Sequence, residues 1–389
     1  MTLPELRLTG ARVLTPQGIN DTALSLAGGL VVDKAVKREV DLSGYIVLPG
    51  IIDVHGDGFE RHLAPRRGMM KDLSHGLIST EAELAANGIT TACLAQFYSW
   101  EGGQRGPEFA TRMLQAVARV RPSMGTDLRL LLRFETPMLE DYDAVEALIA
   151  AHGVNYTVFS DHLPHDALEK GRKPPRLTGQ ALKAGRSPEA HLAMLQMMHD
   201  RRSDVPAALA ALTARLRQRG VLLGSHDDAS AETRRAWHDL GVGIAEFPET
   251  LPATQEARAG GDKIILGAPN LVRGGSHKGN LSAYDMVAAG LCDALASDYH
   301  YPSLRQAAFL LVDSGLYDLT AAWRLISSGP ARLLRLKDRG ELSPGKRADL
   351  VILDARTRAL CATLAGGQLR YMTGDIVTRF LGRRLINTK

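Results

Sequence analysis

About eight short apolar runs, alternating with amphipathic helical stretches through the middle of the chain, constrain this sequence more than any other feature. They lie near Ile46–Asp53, Ile89–Ala95, Leu128–Glu135, Asn155–Ser160, Val221–Ser225, Gly243–Phe247, Ile264–Gly267 and Ala294–Ser297. Helical stretches fall between most of them, among them Ser79–Asn87, Pro107–Arg119, Ala144–Ala151 and Ser282–Gly290. A strand buried on both faces reads as a continuous apolar run, and a parallel neighbour needs a crossover, most often a helix. The alternation therefore predicts an α/β chain folded as a (β/α)8 barrel of the TIM type. With 389 residues, 45% of them hydrophobic, there is room for such a core and for a smaller unit beside it.

Both chain ends read differently. Leu6 to Leu14 and Ala23 to Val32 are short extended pieces broken by Gly and Asn, and the stretch after Gly345 adds Leu350 to Leu353, Leu369 to Met372 and Ile376 to Phe380 as further strands. Residues 1–47 and 341–389 are thus expected to build one small β-sandwich domain, and 48–340 the barrel. Residues 166–190 break the rhythm. Lys170, Arg172, Lys173, Arg176, Lys183 and Arg186 stand among Gly, Pro and Thr, with no clear helical face before Pro188. They read as an inserted basic loop, either a solvated excursion or a cover over a polyanionic substrate.

Polar side chains cluster where the apolar runs stop. Ile51-Ile52 leads into Asp53-Val54-His55-Gly56-Asp57, and residues two apart on an extended chain point the same way, so His55 and Asp57 can share one cation. The other runs end at Glu135, at His162, at His226 followed by Asp227 and Asp228, and at Asp298. Any one of these alone would pass for a helix cap or a turn residue. Three histidines and three carboxylates at the ends of five runs form a mixed nitrogen and oxygen donor set, which suits a pair of divalent ions, Zn2+ or Mn2+ first. Asp227 and Asp228 are expected to orient His226. The tryptophans are read as packing, Met194, Met197 and Met198 as one packed helix face, and His191 and His199 as surface groups.

Leu48-Pro49-Gly50-Ile51-Ile52-Asp53-Val54-His55 resembles the opening of amidohydrolase-superfamily barrels, and Gly345–Leu353 resembles their return to the small β-domain. That resemblance implies His55, Asp57, Glu135, His162, His226 and Asp298 as metal ligands, with Glu135 in the bridging place. Two departures are visible. Asp57 stands where the superfamily has a second His, with His62 as the other candidate, and the runs seat Glu135, His162 and His226 one strand earlier than the superfamily pattern does.

Finer resemblance narrows the chemistry. His55-Gly-Asp57-Gly-Phe-Glu-Arg61-His62, Pro65-Arg66, Phe159-Ser160-Asp161-His162, Glu246-Phe247-Pro248 with Thr250, and Gly267 through His277 are similar to the diphosphatases of the carbon–phosphorus lyase pathway. Those enzymes release pyrophosphate from a ribose 5-triphosphate whose anomeric carbon carries a phosphonate. The implied partner is that phosphorylated ribose phosphonate, and Asp298 is expected to orient the attacking water and take its proton. Arg61, His62, Arg273, Ser276 and His277 are read as substrate contacts, with Arg66 and Lys278 as further cationic groups. The glycines of 274–279 would let backbone N–H groups approach phosphate oxygens.

The remaining features exclude more than they assign. A net charge of +4 and sparse aromatic residues argue against nucleic acid. Cys93, Cys292 and Cys361 form no pair with metal or disulfide spacing, which fits a reducing cytoplasm. No apolar stretch is long enough to predict membrane insertion, no secretory leader is read at the start, and a homodimer is the expectation by analogy alone. The rival readings are a C–N hydrolase or deaminase on the same barrel, a phosphohydrolase for another sugar or nucleotide phosphate, and a binding protein that has lost its metals. The last should have lost its ligand positions, and none is lost.

Overall fold

The computed structural model describes residues 5–34, 36–64, 72–274 and 282–382. Eight strands, Ile51–Gly56, Ile89–Tyr98, Asp127–Glu135, Tyr156–Ser160, Leu222–His226, Ile244–Glu246, Lys263–Gly267 and Ala294–Ala296, form one parallel sheet in sequence order. Each falls on a run expected from the sequence. The sheet curls until its first and last strands meet at a parallel bridge between Gly56 and Asp298. Side chains that alternate inward, including Ile52, Val54, Cys93, Ala95, Leu131, Val158, Ile244, Ile265 and Ala296, fill the barrel. A larger apolar layer packs between the strands and the surrounding helices.

The run expected at Ile46–Asp53 is divided at Gly50. Tyr45–Pro49 belongs to a six-stranded sheet of the small unit, and the barrel begins at Ile51. No side chain fits at the junction, since a Cβ on Gly50 would lie 2.4 Å from the Oγ1 of Thr90. Thr90 is buried and β-branched, so it cannot swing aside. Gly50→Ala is therefore expected to cost about 1–3 kcal/mol. An unchanged urea midpoint would show that the junction yields.

The small unit pairs the six-stranded sheet with a four-stranded one, ordered Leu30–Val32, Leu24–Ala27, Leu6–Thr9, Glu39–Asp41. Leu6, Leu8 and Leu26 of one sheet share a core with Val13, Val47, Leu350, Ile352 and Leu364 of the other, which makes a β-sandwich. We propose that the chain divides near residues 48 and 340. Ile376–Phe380 is a helix, not the strand expected: Ile376 and Phe380, four apart, bury one face against this core. Trp323, fully buried, ties the units together by donating from its indole nitrogen to the carbonyl of Pro49 (2.9 Å).

The basic insertion is also more ordered than its composition suggests. It contains the helices His165–Glu169 and Leu177–Lys183 before Pro188–Asp200 begins. Leu177 and Ala181 form the apolar pair that pins the middle helix, too short a pattern to stand out among the charges. On the following helix Met198 is buried and Met197 is half exposed, so the three methionines do not share one packed face. His191 and His199, expected at the surface, are buried. No helix among the described residues is long and apolar enough to cross a membrane.

Candidate metal centre

Barrel closure is also what assembles the site. The backbone N–H of Asp298 donates to the carbonyl of His55 (3.0 Å), and the N–H of Asp57 donates to the carbonyl of Asp298 (2.6 Å). Beneath them, the fully buried Asp53 accepts from the N–H (3.0 Å) and hydroxyl (2.5 Å) of Ser297. The last strand is thereby locked to the first at the level of the candidate ligands. Asp298 holds φ +54, a left-handed conformation that Asp and Asn adopt more readily than most residues.

Each of the three histidines has a carboxylate behind its Nδ1. His55 Nδ1 meets Glu246 Oε2 at 2.7 Å, His162 Nδ1 meets Glu135 Oε1 at 2.5 Å, and His226 Nδ1 lies 3.1 Å from Asp227 Oδ2. A carboxylate in that position holds the proton on Nδ1 and leaves the Nε2 lone pair for a cation. Glu246, buried at the end of the sixth strand, is braced in turn by the hydroxyl of Tyr156. Asp227 stands beside His226, although His226 Nδ1 makes no hydrogen bond among the described residues. Asp228 is engaged elsewhere: it accepts from Ser225 (2.7 Å) and from the buried Arg234 (3.1 Å).

Three donors already face a positive charge. The guanidinium of Arg133 lies 3.4 Å from His55 Nε2, 3.2 Å from Asp57 Oδ2 and 3.0 Å from His226 Nε2. It acts as a tethered stand-in for a cation. Asp57 Oδ1 is buried with no hydrogen-bond partner among the described residues. Convergent imidazole nitrogens with carboxylates beside them form a donor set that fits a divalent metal. Two overlapping groups, His55 with His226 and Glu246, and His162 with His226 and Asp227, have ligand atoms close enough to hold an ion.

Charges follow from these neighbours. Burial works against ionisation of Asp57, but Arg133 and His55 outweigh it and hold the carboxyl at about 2. Burial pushes Asp298 up to about 6, and the charge of Asp57 adds to the effect. Burial also disfavours protonation of His226, reinforced by Arg133, so that its pKa falls. On His55 burial acts in the same direction, but Glu246 and Asp57 prevail and raise it to about 10. A metal ion at Nε2 would displace that proton.

Of the residues expected from the sequence, Asp57, His162, His226 and Asp298 line one cavity of about 600 Å3, and His55 stands behind it with its ring 5.5 Å from that of His226. Glu135 is placed otherwise. Both its oxygens meet His162, one at the ring and one at the backbone N–H (2.9 Å), the position of a carboxylate that orients that histidine. It stands on the third strand, His162 follows the fourth and His226 ends the fifth, one strand earlier than the superfamily pattern. Arg61 and His62 both pair with Glu83 on the helix Leu73–Ala86, and Arg273 donates to the hydroxyl of Tyr299. None of the three lines the cavity. Arg66, Ser276, His277 and Lys278 lie outside the described residues.

Sequence reading passed over Arg105 and Arg133, which line the cavity, gave Glu246 no role of its own, and placed Arg176, also in the lining, only among the charges of the basic insertion. Arg133 had a signal: it stands two residues before Glu135 on one strand and so shares its face. Trp100, read as packing, also lines the cavity. Glu246→Gln is expected to weaken metal binding by about 10- to 100-fold, as loss of a carboxylate behind a ligating histidine commonly does. Competition against a chelator measures this, and unchanged affinity would reduce Glu246 to a packing role.

Residues 81–364 match the model of an amidohydrolase family. The alpha-D-ribose 1-methylphosphonate 5-triphosphate diphosphatase of Escherichia coli (strain K12) is 34% identical over 327 residues, covering 80% of this chain and 84% of the relative. An adenine deaminase of Methylobacterium sp. (strain 4-46) is 28% identical over 363 residues, 90% of this chain but only 55% of that protein. A Xaa-Pro dipeptidase with bound methionine superimposes with a TM-score of 0.64 at 14% identity, covering 95% of this chain and all of the other. A triazine hydrolase variant gives 0.63 at 13%, covering 98% of each. At such identities these two share the fold.

Proposed function

The chain belongs to the amidohydrolase family, and on that premise we propose that it is a metal-dependent diphosphatase that releases pyrophosphate from alpha-D-ribose 1-methylphosphonate 5-triphosphate. The observation that carries the reading is the meeting of Asp57, His162, His226 and Asp298, with His55 behind them, at a cavity that Arg105, Arg133 and Arg176 also line. The relative that acts on that substrate spans most of both chains. A C–N hydrolase would have no evident use for three guanidiniums around its substrate.

In this reading His55, His162 and His226 hold divalent metal through Nε2, with Asp57 and Asp298 as carboxylate ligands. Bound divalent ions supply Lewis acidity, neutralising charge on phosphoryl oxygens and lowering the pKa of water. Glu246, Glu135 and Asp227 keep the three imidazoles in the ligating tautomer. Asp298 orients the attacking water and takes its proton. Phe97, Trp100 and Phe247 wall the cavity and limit bulk water around the reacting groups.

Phosphorus NMR of the metal-loaded protein tests the assignment, with adenine deamination followed in parallel. The expected result is one pyrophosphate and one ribose 1-methylphosphonate 5-phosphate per triphosphate consumed. Turnover of adenine with no phosphorus product would move the protein to C–N hydrolysis, and cleavage of other nucleotide triphosphates at equal rates would remove the ribose phosphonate from the assignment.

A further inference from the structure

The two arginines read from the sequence as substrate contacts, Arg61 and Arg273, are engaged with Glu83 and Tyr299, whereas Arg105, Arg133 and Arg176 line the cavity. Two of those share an aromatic ring. The guanidinium carbons of Arg105 and Arg133 lie 4.1 and 3.9 Å from the centroid of Phe97. A ring face seats one planar group at that distance, so one arginine stacks on each side. Arg133 is held among the metal donors, and Arg105, on the turn after the second strand, stands on the far side of the ring from them.

Arg176 comes from the basic insertion. It precedes the helix Leu177–Lys183, is exposed, and lines the cavity with Pro174, Pro175 and Gln180. Its side chain has no hydrogen bond or ion pair with any described residue. Arg105, by contrast, is pinned by stacking and by Glu101 at 3.3 Å. One guanidinium is thus fixed and the other is available, on two loops that meet at one cavity.

We propose that Arg105 and Arg176 form a phosphate subsite that grips the part of a polyphosphate remote from the reacting phosphorus, and that the 166–190 insertion is the element that selects such substrates. The proposal rests on the diphosphatase reading for its substrate, though its anion binding can be measured without turnover. A planar guanidinium offers paired N–H donors that match a phosphate edge. An anion that touches both must reach across two loops, which favours a chain of phosphates over a single one. The cavity lining also includes Asp57, Glu101, Asp227 and Asp298, so these cations serve an anion best when divalent metal offsets the carboxylates.

The test is calorimetric titration of inorganic pyrophosphate into the metal-loaded full-length protein with the same metal in excess. Five proteins are compared: unmodified, Arg176→Ala, Arg176→Lys, Arg105→Gln, and Arg172→Ala, which removes an equal charge from an exposed site on the same insertion outside the cavity. Arg176→Ala and Arg105→Gln are each expected to raise Kd by about 10-fold or more, the loss of one charge-assisted contact, with Arg172→Ala changing it by less than about 2-fold. Arg176→Lys should recover part of the loss. Unchanged affinity in both cavity variants, an equal loss in Arg172→Ala, or no pyrophosphate binding to the unmodified protein overturns the subsite. If the unmodified protein releases no pyrophosphate from the ribose triphosphate while the two variants still lose affinity, the diphosphatase reading falls and the subsite stands.

Discussion

Asp298→Asn is expected to lower kcat for pyrophosphate release by about 100- to 10,000-fold, the range for removing a positioned general base. The substitution is a clean one because Asn keeps the size and the tolerance for the left-handed backbone at φ +54. The barrel closure can persist too, since the contacts of Asp298 with His55 and Asp57 are made by the backbone. What disappears is a charge buried beside Asp57 and near Arg133. Because the same carboxylate is proposed as a metal ligand, metal content has to be measured with the rate. A protein that retains its metal and loses less than 10-fold in kcat would remove Asp298 from the role of proton acceptor. One that loses metal in proportion to activity would assign it to ligation alone.

The largest effect on stability is expected at Arg234, a residue with no chemical role in this proposal. Its side chain is fully buried on the helix after the fifth strand, and donates to Ser225 Oγ (2.7 Å), Asp228 Oδ2 (3.1 Å) and the carbonyl of Val242, with Asp262 Oδ2 3.3 Å from its Nε. Asp228 and Asp262 are themselves buried. Arg234→Leu would leave Asp228 in a poorly solvated interior without a counter-charge and Asp262 with His238 alone (2.9 Å), which is expected to cost about 3–5 kcal/mol. Urea unfolding followed by circular dichroism measures it. Adding Asp228→Asn to Arg234→Leu should recover part of the loss if the stranded charge is the cause. If the double variant is no more stable than the single one, lost packing is the better account. Ser225 and Asp228 flank His226 and Asp227, so the same cluster sets the chain direction at the metal donors.

Much of this was legible along the chain. Strands buried on both faces have to be apolar runs, and all eight barrel strands overlap the runs read from the sequence. A barrel presents its strand ends to one mouth, so polar residues ending those runs were bound to gather there. Asp57, His162, His226 and Asp298 do line one cavity. Short-range pattern failed where length was short, as at Ile376–Phe380 and Leu177–Lys183, because helices of five and seven residues carry too few apolar positions to declare their period.

What a side chain does at the mouth was decided elsewhere. Glu246 and Tyr156 are 90 residues apart and meet only because the fourth and sixth strands lie on either side of the fifth. Phe97 can seat Arg105 and Arg133 only after the second and third strands pair, with Phe97 opposite Arg133 in register. Glu135 was legible as a carboxylate at a strand end, but its pairing with His162 after the next strand was not. Local pattern reports which face of an element is apolar and where that element stops, and this determined the barrel and the level of the site. Whether a polar group ligates, braces or neutralises depends on neighbours brought by other strands at distances of about 3 Å, and only the closed tertiary structure sets those.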